Sequence, residues 1–306
     1  MKMLENRIVY LDGAFVAAGE ATLPILSHSV GRGSAIFDVL AFGETTKGRA
    51  IFRLDEHVAR FLRSALALEM TLPLSVAELH EAIKETVRRN TLQAGAIKII
   101  GFYPEPSFSL LPPQKPLHLA IFVLDPDGDF GEKPLAENEC VTAFVSRWRR
   151  LDPRTVPIEA KAAANYLNGL VARTEAKNLG FAYAIMLDLE GNIAEGGTES
   201  IFLVREGRLL TPNIGHILQG ITRKSILAAA KAMGIETFAG ALQESLLNEA
   251  DEIFFSGTVH RVLPVSRVGD RILPAAPGPV TRMIAARMQA IASGRDPRFQ
   301  DWLFPV

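Results

Sequence analysis

A short acidic run broken by proline and glycine, Asp125-Pro126-Asp127-Gly128-Asp129, interrupts the chain before its middle. Proline and glycine end regular structure, and clustered carboxylates resist burial. The chain has 306 residues, a length that suggests about two domains. We therefore expect a smaller domain at residues 1–125, an interdomain linker at 126–135 and a larger domain at 136–306.

Apolar runs and amphipathic segments occur on both sides of this break. In the first part, the pattern predicts a hairpin over 7–16 with its turn at Asp12-Gly13, helices over 53–68 and 75–91, and strands over 96–102 and 117–124. In the second part, it predicts strands near 140–147, 183–188, 200–204 and 209–211, and helices near 165–178, 222–233 and 280–293. Strands and helices mixed in this way indicate an α+β fold.

The charges of the chain nearly cancel, with 33 Lys and Arg against 34 Asp and Glu. Without a large positive charge, nucleic acid is not expected as the main partner, and a small molecule is favoured. No apolar stretch approaches the roughly 18 residues that a membrane helix needs. Cys140 is the only cysteine, so no disulfide can form within the chain, which favours a cytoplasmic location.

Several familiar motifs are incomplete. His80 to Lys84 begins like a zinc-protease helix, but Lys84 stands where the second ligand is required, and no metal site is expected. Gly31 and Gly33 are not followed by the third glycine of a nucleotide-binding turn. The basic and aromatic run over residues 147–150 is short, and we interpret it as a loop or a subunit contact.

A lysine followed by small residues, Lys161-Ala162-Ala163-Ala164-Asn165-Tyr166, is the most informative segment. The alanines leave room for a large group beside the amine. Downstream follow Glu195-Gly196, then Gly220-Ile221-Thr222-Arg223 at a predicted helix start, where free backbone amides suit an anion, and then Ser256-Gly257-Thr258. Taken singly, each has an ordinary interpretation as a surface lysine, a turn acid, a helix start or a loop.

Taken in order, these segments resemble the motifs of fold-type IV pyridoxal-phosphate enzymes, most closely the branched-chain amino-acid aminotransferases. Ser27-His28, Phe37 and residues 53–60 match upstream motifs in the same order, so the resemblance covers nearly the whole chain. It implies an α+β fold of two domains. The small α/β domain would precede a larger one with a mixed, barrel-like sheet and flanking helices.

The resemblance also implies a role for each matched residue. Lys161 would be the Schiff-base lysine and the general base, which requires a pKa below the usual value of about 10.4 through partial burial and nearby cations. Glu195 would keep the pyridine nitrogen protonated. Tyr166 would contact the ring hydroxyl, and Leu218 would pack on the ring. The implied phosphate ligands are Arg60, Gly220, Ile221, Thr222 and Thr258.

Substrate recognition is where this sequence departs from the family pattern. Phe37, Thr258 and Val259 would contact the substrate by resemblance. Arg32 occupies a position that is usually aromatic, and Ala96 and Lys98 replace a usual tyrosine and arginine. We hypothesise that Lys98 and Arg32 hold a substrate carboxylate; two surface-exposed bases are the alternative. Tyr103 stands where the D-amino-acid aminotransferases of this fold carry an arginine, which disfavours that specificity.

The implied function is a pyridoxal-phosphate-dependent aminotransferase that moves an amino group from an amino acid, an L-branched-chain residue or glutamate, to a 2-oxo acid. A homodimer or a higher homo-oligomer is implied as well. Three alternatives stay open: a D-amino-acid or (R)-amine transaminase of the same fold, a lyase of the aminodeoxychorismate type, and a binding protein that has retained the fold without the cofactor.

Overall fold

The computed structural model describes residues 4, 6–131, 136 and 139–306. They form two compact units. The first comprises Met1–Lys133, Ala160–Ala164 and Ala290–Val306, and the second comprises Pro134–Glu159 and Asn165–Gln289. Residues 126–130 of the expected linker form a short helix. Residues 132–135 lie outside the described residues. We propose residues 126–135 as the linker.

The strands, in chain order, are β1 (Ile8–Leu11), β2 (Ala14–Ala17), β3 (Ile36–Thr45), β4 (Gly48–Phe52), β5 (Gly95–Phe102), β6 (His118–Leu124), β7 (Val141–Val145), β8 (Tyr183–Leu187), β9 (Ile193–Gly196), β10 (Ser200–Arg205), β11 (Arg208–Pro212), β12 (Thr237–Gly240), β13 (Glu252–Ser256), β14 (Leu263–Val268), β15 (Arg271–Ile272) and β16 (Leu303–Pro305).

The α-helices are α1 (His28–Arg32), α2 (Leu54–Ala67), α3 (Val76–Arg88), α4 (Pro126–Phe130), α5 (Tyr166–Asn178), α6 (Ile221–Ala232), α7 (Leu246–Glu249) and α8 (Pro279–Ala292). Short 3-10 turns cover Ala18–Glu20, Ala163–Asn165 and Pro297–Trp302. Within the part of the chain that the structure describes, no helix has both the length and the apolar character needed to cross a bilayer.

The first unit contains an antiparallel seven-stranded sheet in the order β16-β4-β3-β5-β6-β1-β2. Along β3, buried and partly exposed residues alternate, which is the pattern of a strand with one face turned to the core. On the core face, Leu40 and Ile97 join one hydrophobic cluster with Phe61 of α2 and Ile83 of α3. The opposite face of the same strands lies outside this cluster and can carry polar side chains.

The second unit contains a nine-stranded sheet in the order β12-β11-β10-β13-β14-β7-β8-β9, with β15 paired to β14. It is mixed, because β7–β8, β7–β14 and β11–β12 are parallel and the remaining pairs are antiparallel. Ala172 and Ala176 of α5 pack on Ala184 and Met186 of β8. The predicted α+β class and the mixed second sheet are confirmed.

Most predicted elements are present. β1 and β2 form the hairpin expected at Asp12-Gly13, and Ser75 caps α3 in a reciprocal capping box with Glu78. The sequence pattern predicts no helix or strand over residues 36–52, where the structure has β3 and β4. That omission matters because β3 carries residues of the candidate site.

Candidate active site

The segment Ala160–Ala164 belongs to the first unit because it pairs with the start of β3. The backbone amide of Phe37 donates to the carbonyl oxygen of Lys161 at 3.0 Å, and Ile36 lies opposite Ala162. On its other side, the amide of Lys161 donates to Ser64 Oγ of α2 at 2.9 Å. The backbone of Lys161 is therefore fixed from two elements.

The register also fixes the direction of the Lys161 side chain. Because Ile36 is opposite Ala162, Lys161 is opposite Phe37, and directly opposed residues of an antiparallel pair point to one face. Lys98 of β5 is opposite Val39, two residues further along β3, and so lies on that same face. Lys161 and Lys98 therefore lie on the same face of the sheet as Phe37.

The ring of Phe37 is close to both amines. Its centroid is 4.9 Å from Lys161 Nζ and 5.2 Å from Lys98 Nζ, distances at which a cation is attracted to a ring face. Lys161 is only 9% exposed. Burial and the neighbouring Lys161 amine lower the pKa of Lys98 from its ordinary value. This face of the sheet is a site with two amines, and it suits an anionic ligand.

A buried charge cluster lies on the opposite face of β3, where α2 packs. The carboxylate of Asp38 accepts hydrogen bonds from Arg60 Nε and Nη2, both at 2.8 Å, and from His57 Nδ1 at 2.7 Å. Burial alone would raise the pKa of Asp38, but the Arg60 guanidinium and the His57 imidazole hold it well below its usual range. Burial lowers the pKa of His57 despite the opposing effect of Asp38. Asp38 therefore fixes the orientation of Arg60.

In the second unit, Glu195 of β9 is 7% exposed and forms an ion pair with the equally buried Arg150. Arg150 also donates from Nη1 to Asn168 Oδ1 at 3.1 Å. The sequence predicts a loop or a subunit contact over residues 147–150 and gives no indication of this ion pair. No local signal could have revealed it, because the partner of Arg150 lies on a distant strand. The guanidinium keeps the Glu195 carboxylate compensated inside the protein.

The start of α6 has features that would suit an anion. Its first amides lack partners within the helix, and Gly220 is the N-cap. A Cβ at Gly220 would lie 2.5 Å from Ser200 Oγ. Any residue other than glycine would therefore clash with that hydroxyl beside the first amides of the helix. Among the described residues, the buried hydroxyl of Ser256 has no hydrogen-bond partner. Open amides with an unsatisfied hydroxyl in the same unit fit a phosphate-sized anion.

The remaining predicted residues are placed as follows. Tyr166 begins α5, Leu218 is half-buried ahead of α6, Thr222 is buried in its first turn, and Thr258 and Val259 follow β13. Arg32 ends α1 and donates from Nη2 to the carbonyl of Phe108 at 2.8 Å and from Nε to that of Ser109 at 3.2 Å. Its guanidinium therefore contacts the backbone of the segment after β5.

A glycine pair supports the turn that follows Glu195. A Cβ on Gly169 of α5 would overlap the carbonyl oxygen of Gly197, so the helix and this turn approach at backbone distance. We expect Gly169→Ala to lower the free energy of unfolding by about 1–3 kcal/mol through overpacking, measured by urea denaturation. Gly31→Ala is the matched control, because that helical glycine has open space around it. Equal stability of Gly169→Ala and wild type would contradict the close approach.

Comparison with known proteins identifies the family. The amino-transferase class IV profile matches residues 35–268. Branched-chain-amino-acid aminotransferases of Salmonella typhimurium and Pseudomonas aeruginosa are 33% and 31% identical, over 97% and 96% of both chains. Among solved structures, the branched-chain amino acid aminotransferase of T.th. in complex with N-(5'-phosphopyridoxyl)-L-glutamate superposes with a TM-score of 0.92, at 34% identity and over 99% of both chains.

The enzyme of Thermoproteus uzoniensis with norvaline gives a TM-score of 0.90 at 34% identity, over 98% of this chain and 99% of that one. The fold-type IV architecture implied by the sequence motifs is confirmed by these superpositions. The chain therefore belongs to the class IV aminotransferases, and it is a pyridoxal-phosphate-dependent enzyme.

Proposed function

We propose that this aminotransferase exchanges amino groups between L-branched-chain amino acids, glutamate and the corresponding 2-oxo acids, with Lys161 as its covalent attachment point for pyridoxal phosphate. The observation that carries the proposal is the position of Lys161, a buried amine fixed opposite Phe37 with a second amine on the same ring. The names of the relatives support the substrate class.

When bound, pyridoxal phosphate supplies an electron sink for the charge that develops at the substrate α-carbon. Lys161 Nζ removes the proton from that carbon in one half-reaction and returns a proton to it in the other. Removal of the proton requires the neutral amine, and return of the proton requires the ammonium that the removal produces. Lys161 is only 9% exposed, so bulk water has little access to the proton while it is held on Nζ.

The other residues hold the cofactor. We assign the phosphate to Arg60, which Asp38 orients, to the amides and hydroxyl at the start of α6, and to Thr258. Glu195 would keep the pyridine nitrogen protonated, and its ion pair with Arg150 holds the carboxylate in place. Tyr166 would contact the ring hydroxyl, Leu218 would pack on the ring, and Phe37, Thr258 and Val259 would contact the substrate.

We assign the distal carboxylate of glutamate to Lys98, with Arg32 as a second candidate. Lys98→Ala should raise the Michaelis constant for 2-oxoglutarate by about 10- to 100-fold, since a hydrogen bond to a charged group contributes about 1.5–3 kcal/mol, and should change that for 4-methyl-2-oxopentanoate little. The Arg32 guanidinium already donates to two loop carbonyls. Arg32→Ala tests whether it also binds the substrate carboxylate, which would raise the same Michaelis constant. Lys84→Ala on α3 is the control. Unchanged constants in both variants would remove the assignment.

An amino-donor panel tests the function itself. Purified enzyme is offered both enantiomers of leucine, alanine and glutamate, with 2-oxoglutarate or pyruvate as acceptor. The proposal expects L-leucine and L-glutamate to be converted in the presence of a 2-oxo acid. Preference for a D-enantiomer, or release of pyruvate without any acceptor, would contradict it.

We also propose a homodimer or larger homo-oligomer in the cytoplasm. The support for assembly is a set of large apolar side chains exposed in the first unit: Ile25, Leu26, Phe108, Leu110 and Leu111. The support for the location is a single cysteine in the whole sequence. Light scattering of the purified chain tests the assembly, and a monomeric mass would contradict it.

A further inference from the structure

Asn168 of α5 is bound to one short segment of the second unit, residues 149–151. Its Oδ1 accepts from Arg150 Nη1 at 3.1 Å and from the backbone amide of Leu151 at 3.0 Å. Its Nδ2 donates to the carbonyl oxygen of Arg149 at 2.9 Å. A single side-chain amide therefore holds both the backbone of this segment and the guanidinium of Arg150.

The same segment is fixed to the sheet beside the strand that carries Glu195. The backbone amide of Arg150 donates to the carbonyl oxygen of Leu187 on β8 at 2.8 Å, and β8 pairs with β9, where Glu195 is opposite Met186. From this position the Arg150 side chain forms its ion pair with Glu195, and both residues are buried. A buried ion pair depends on its geometry, because the attraction compensates for the lost hydration only while the partners are held well together.

The Arg150 guanidinium is held by two partners through two different nitrogens. Nε is the atom that contacts the Glu195 carboxylate, and Nη1 donates to Asn168 Oδ1. Because a guanidinium is planar and rigid, contacts at two of its nitrogens fix its orientation. Without Asn168, the guanidinium could turn and bind the carboxylate with two nitrogens at once, as arginine does in bidentate pairs. Glu195 would then be drawn toward Arg150.

A second guanidinium near Glu195 is bound elsewhere. The charge of Arg223 on α6 acts on Glu195, but Arg223 Nε donates to Thr211 Oγ1 at 3.0 Å and its Nη2 donates to the carbonyl oxygen of Pro212 at 2.5 Å. These hydrogen bonds hold Arg223 on β11. Of the two guanidiniums, Arg150 is therefore the one whose orientation acts directly on the position of the Glu195 carboxylate.

We propose that Asn168 is a positioning residue for the cofactor ring, which holds Arg150 so that the Glu195 carboxylate stays available to the ring nitrogen. The inference rests on the proposed function, because it takes Glu195 as the group that keeps the pyridine nitrogen protonated. Loss of Asn168 lets Arg150 compete with the ring nitrogen for the same carboxylate. A nitrogen that shares its anionic partner in this way holds its proton less firmly.

The test follows the proton on the ring nitrogen. The holoenzyme is prepared with pyridoxal phosphate that carries an isotope label at this nitrogen, and nitrogen NMR over a pH series gives the midpoint at which the proton is lost. Asn168→Leu and Asn168→Ala remove the hydrogen bonds, whereas Asn168→Asp keeps an oxygen that can accept from Arg150. Asn178→Leu, at the exposed end of the same helix, is the matched control. Circular dichroism shows which variants are folded.

The proposal expects Asn168→Leu and Asn168→Ala to lower the midpoint by about one pH unit. Asn168→Asp should remain at or above the wild-type midpoint, because an added negative charge favours the protonated nitrogen, and Asn178→Leu should leave it unchanged. In an Arg150→Met background, Asn168→Leu should have no further effect, since two residues that act through one contact are not additive. An unchanged midpoint in a folded Asn168→Leu or Asn168→Ala variant would overturn the proposal. An equal fall in Asn168→Asp, or a full effect without Arg150, would overturn it too.

Glu195→Gln separates the inference from the proposed function. If Glu195 has its proposed role, this variant lowers the midpoint at least as far as Asn168→Leu does, because the anionic partner itself is removed. A wild-type midpoint in Glu195→Gln would contradict the assignment of Glu195, and the inference with it. A lowered midpoint in Glu195→Gln beside a wild-type midpoint in Asn168→Leu would contradict the inference alone.

Discussion

Replacing Lys161 with alanine is expected to lower kcat for transamination by about 10⁴-fold, the upper end of what a positioned general base contributes. The side chain is opposite Phe37 in the register of the sheet and is nearly buried, so solvent cannot readily supply another base at the same place. Single-turnover kinetics with L-glutamate measure the loss in the amino-donating half-reaction.

The matched control for this variant is Lys84→Ala. Lys84 lies on α3 in the same unit and pairs with the exposed Glu81, so its loss should leave kcat within a factor of about two of wild type. A small primary amine added to Lys161→Ala should restore part of the rate, because it can occupy the space that the side chain leaves. A Lys161→Ala enzyme with kcat within about tenfold of wild type would remove Lys161 from the mechanism.

Asp38→Asn is expected to lower the free energy of unfolding by about 3–5 kcal/mol, the usual result of removing one partner from a buried charge pair. Asp38 is fully buried, and its oxygens accept from Arg60 and His57. The side-chain amide of asparagine would place its own N–H groups against the N–H groups of Arg60 and His57. It would also leave the Arg60 guanidinium buried without a counterion. Denaturant unfolding of the purified variant measures the change.

The control for this variant is Asp55→Asn, which lies on α2 in the same unit. Asp55 contacts Arg53 at 3.5 Å with its side chain half exposed, and such surface pairs contribute at most about 1 kcal/mol. A stability loss in Asp38→Asn no larger than in Asp55→Asn would show that the buried cluster does not hold the first unit together.

The pH dependence of the Asp38 contribution has a definite sign. Arg60 and His57 place the pKa of Asp38 in the folded chain below its ordinary value, which is about 3.9 in an unfolded chain. Its stabilising effect is therefore complete above about pH 4 and is lost as pH falls below that value toward the folded pKa. The difference in stability between wild type and Asp38→Asn should accordingly narrow below about pH 4.

Local patterns were sufficient to predict much of the fold. The Asp12-Gly13 turn predicts the first hairpin, and the Ser75–Glu78 capping box predicts the start of α3, because each signal lies within a few residues of the structure that it specifies. β3 was missed. Asp38, near the start of β3, is an improbable strand residue unless a partner is known. Its partners Arg60 and His57 come from a helix that follows later in the chain.

The residues of the candidate site also fall into two groups, those that local motifs reveal and those that only contacts between distant segments reveal. Lys161, Glu195 and the Gly220 helix start were recognisable because their immediate neighbours form motifs. Arg150 was not, because its function comes from contact with Glu195 on a distant strand. The return of residues 160–164 to the first unit also has no local signal, since it depends on pairing with the start of β3. These features depend on contacts between residues that are far apart in the chain, and the spacing of local motifs does not reveal such contacts.

Reductive trapping shows which residue holds the cofactor. The holoenzyme is treated with borohydride and digested, and the modified peptide is sequenced by mass spectrometry. We expect a phosphopyridoxyl group on Lys161 and on no other residue. The same group on Lys98 or elsewhere, or no covalent attachment at all, would show that Lys161 is not the attachment point.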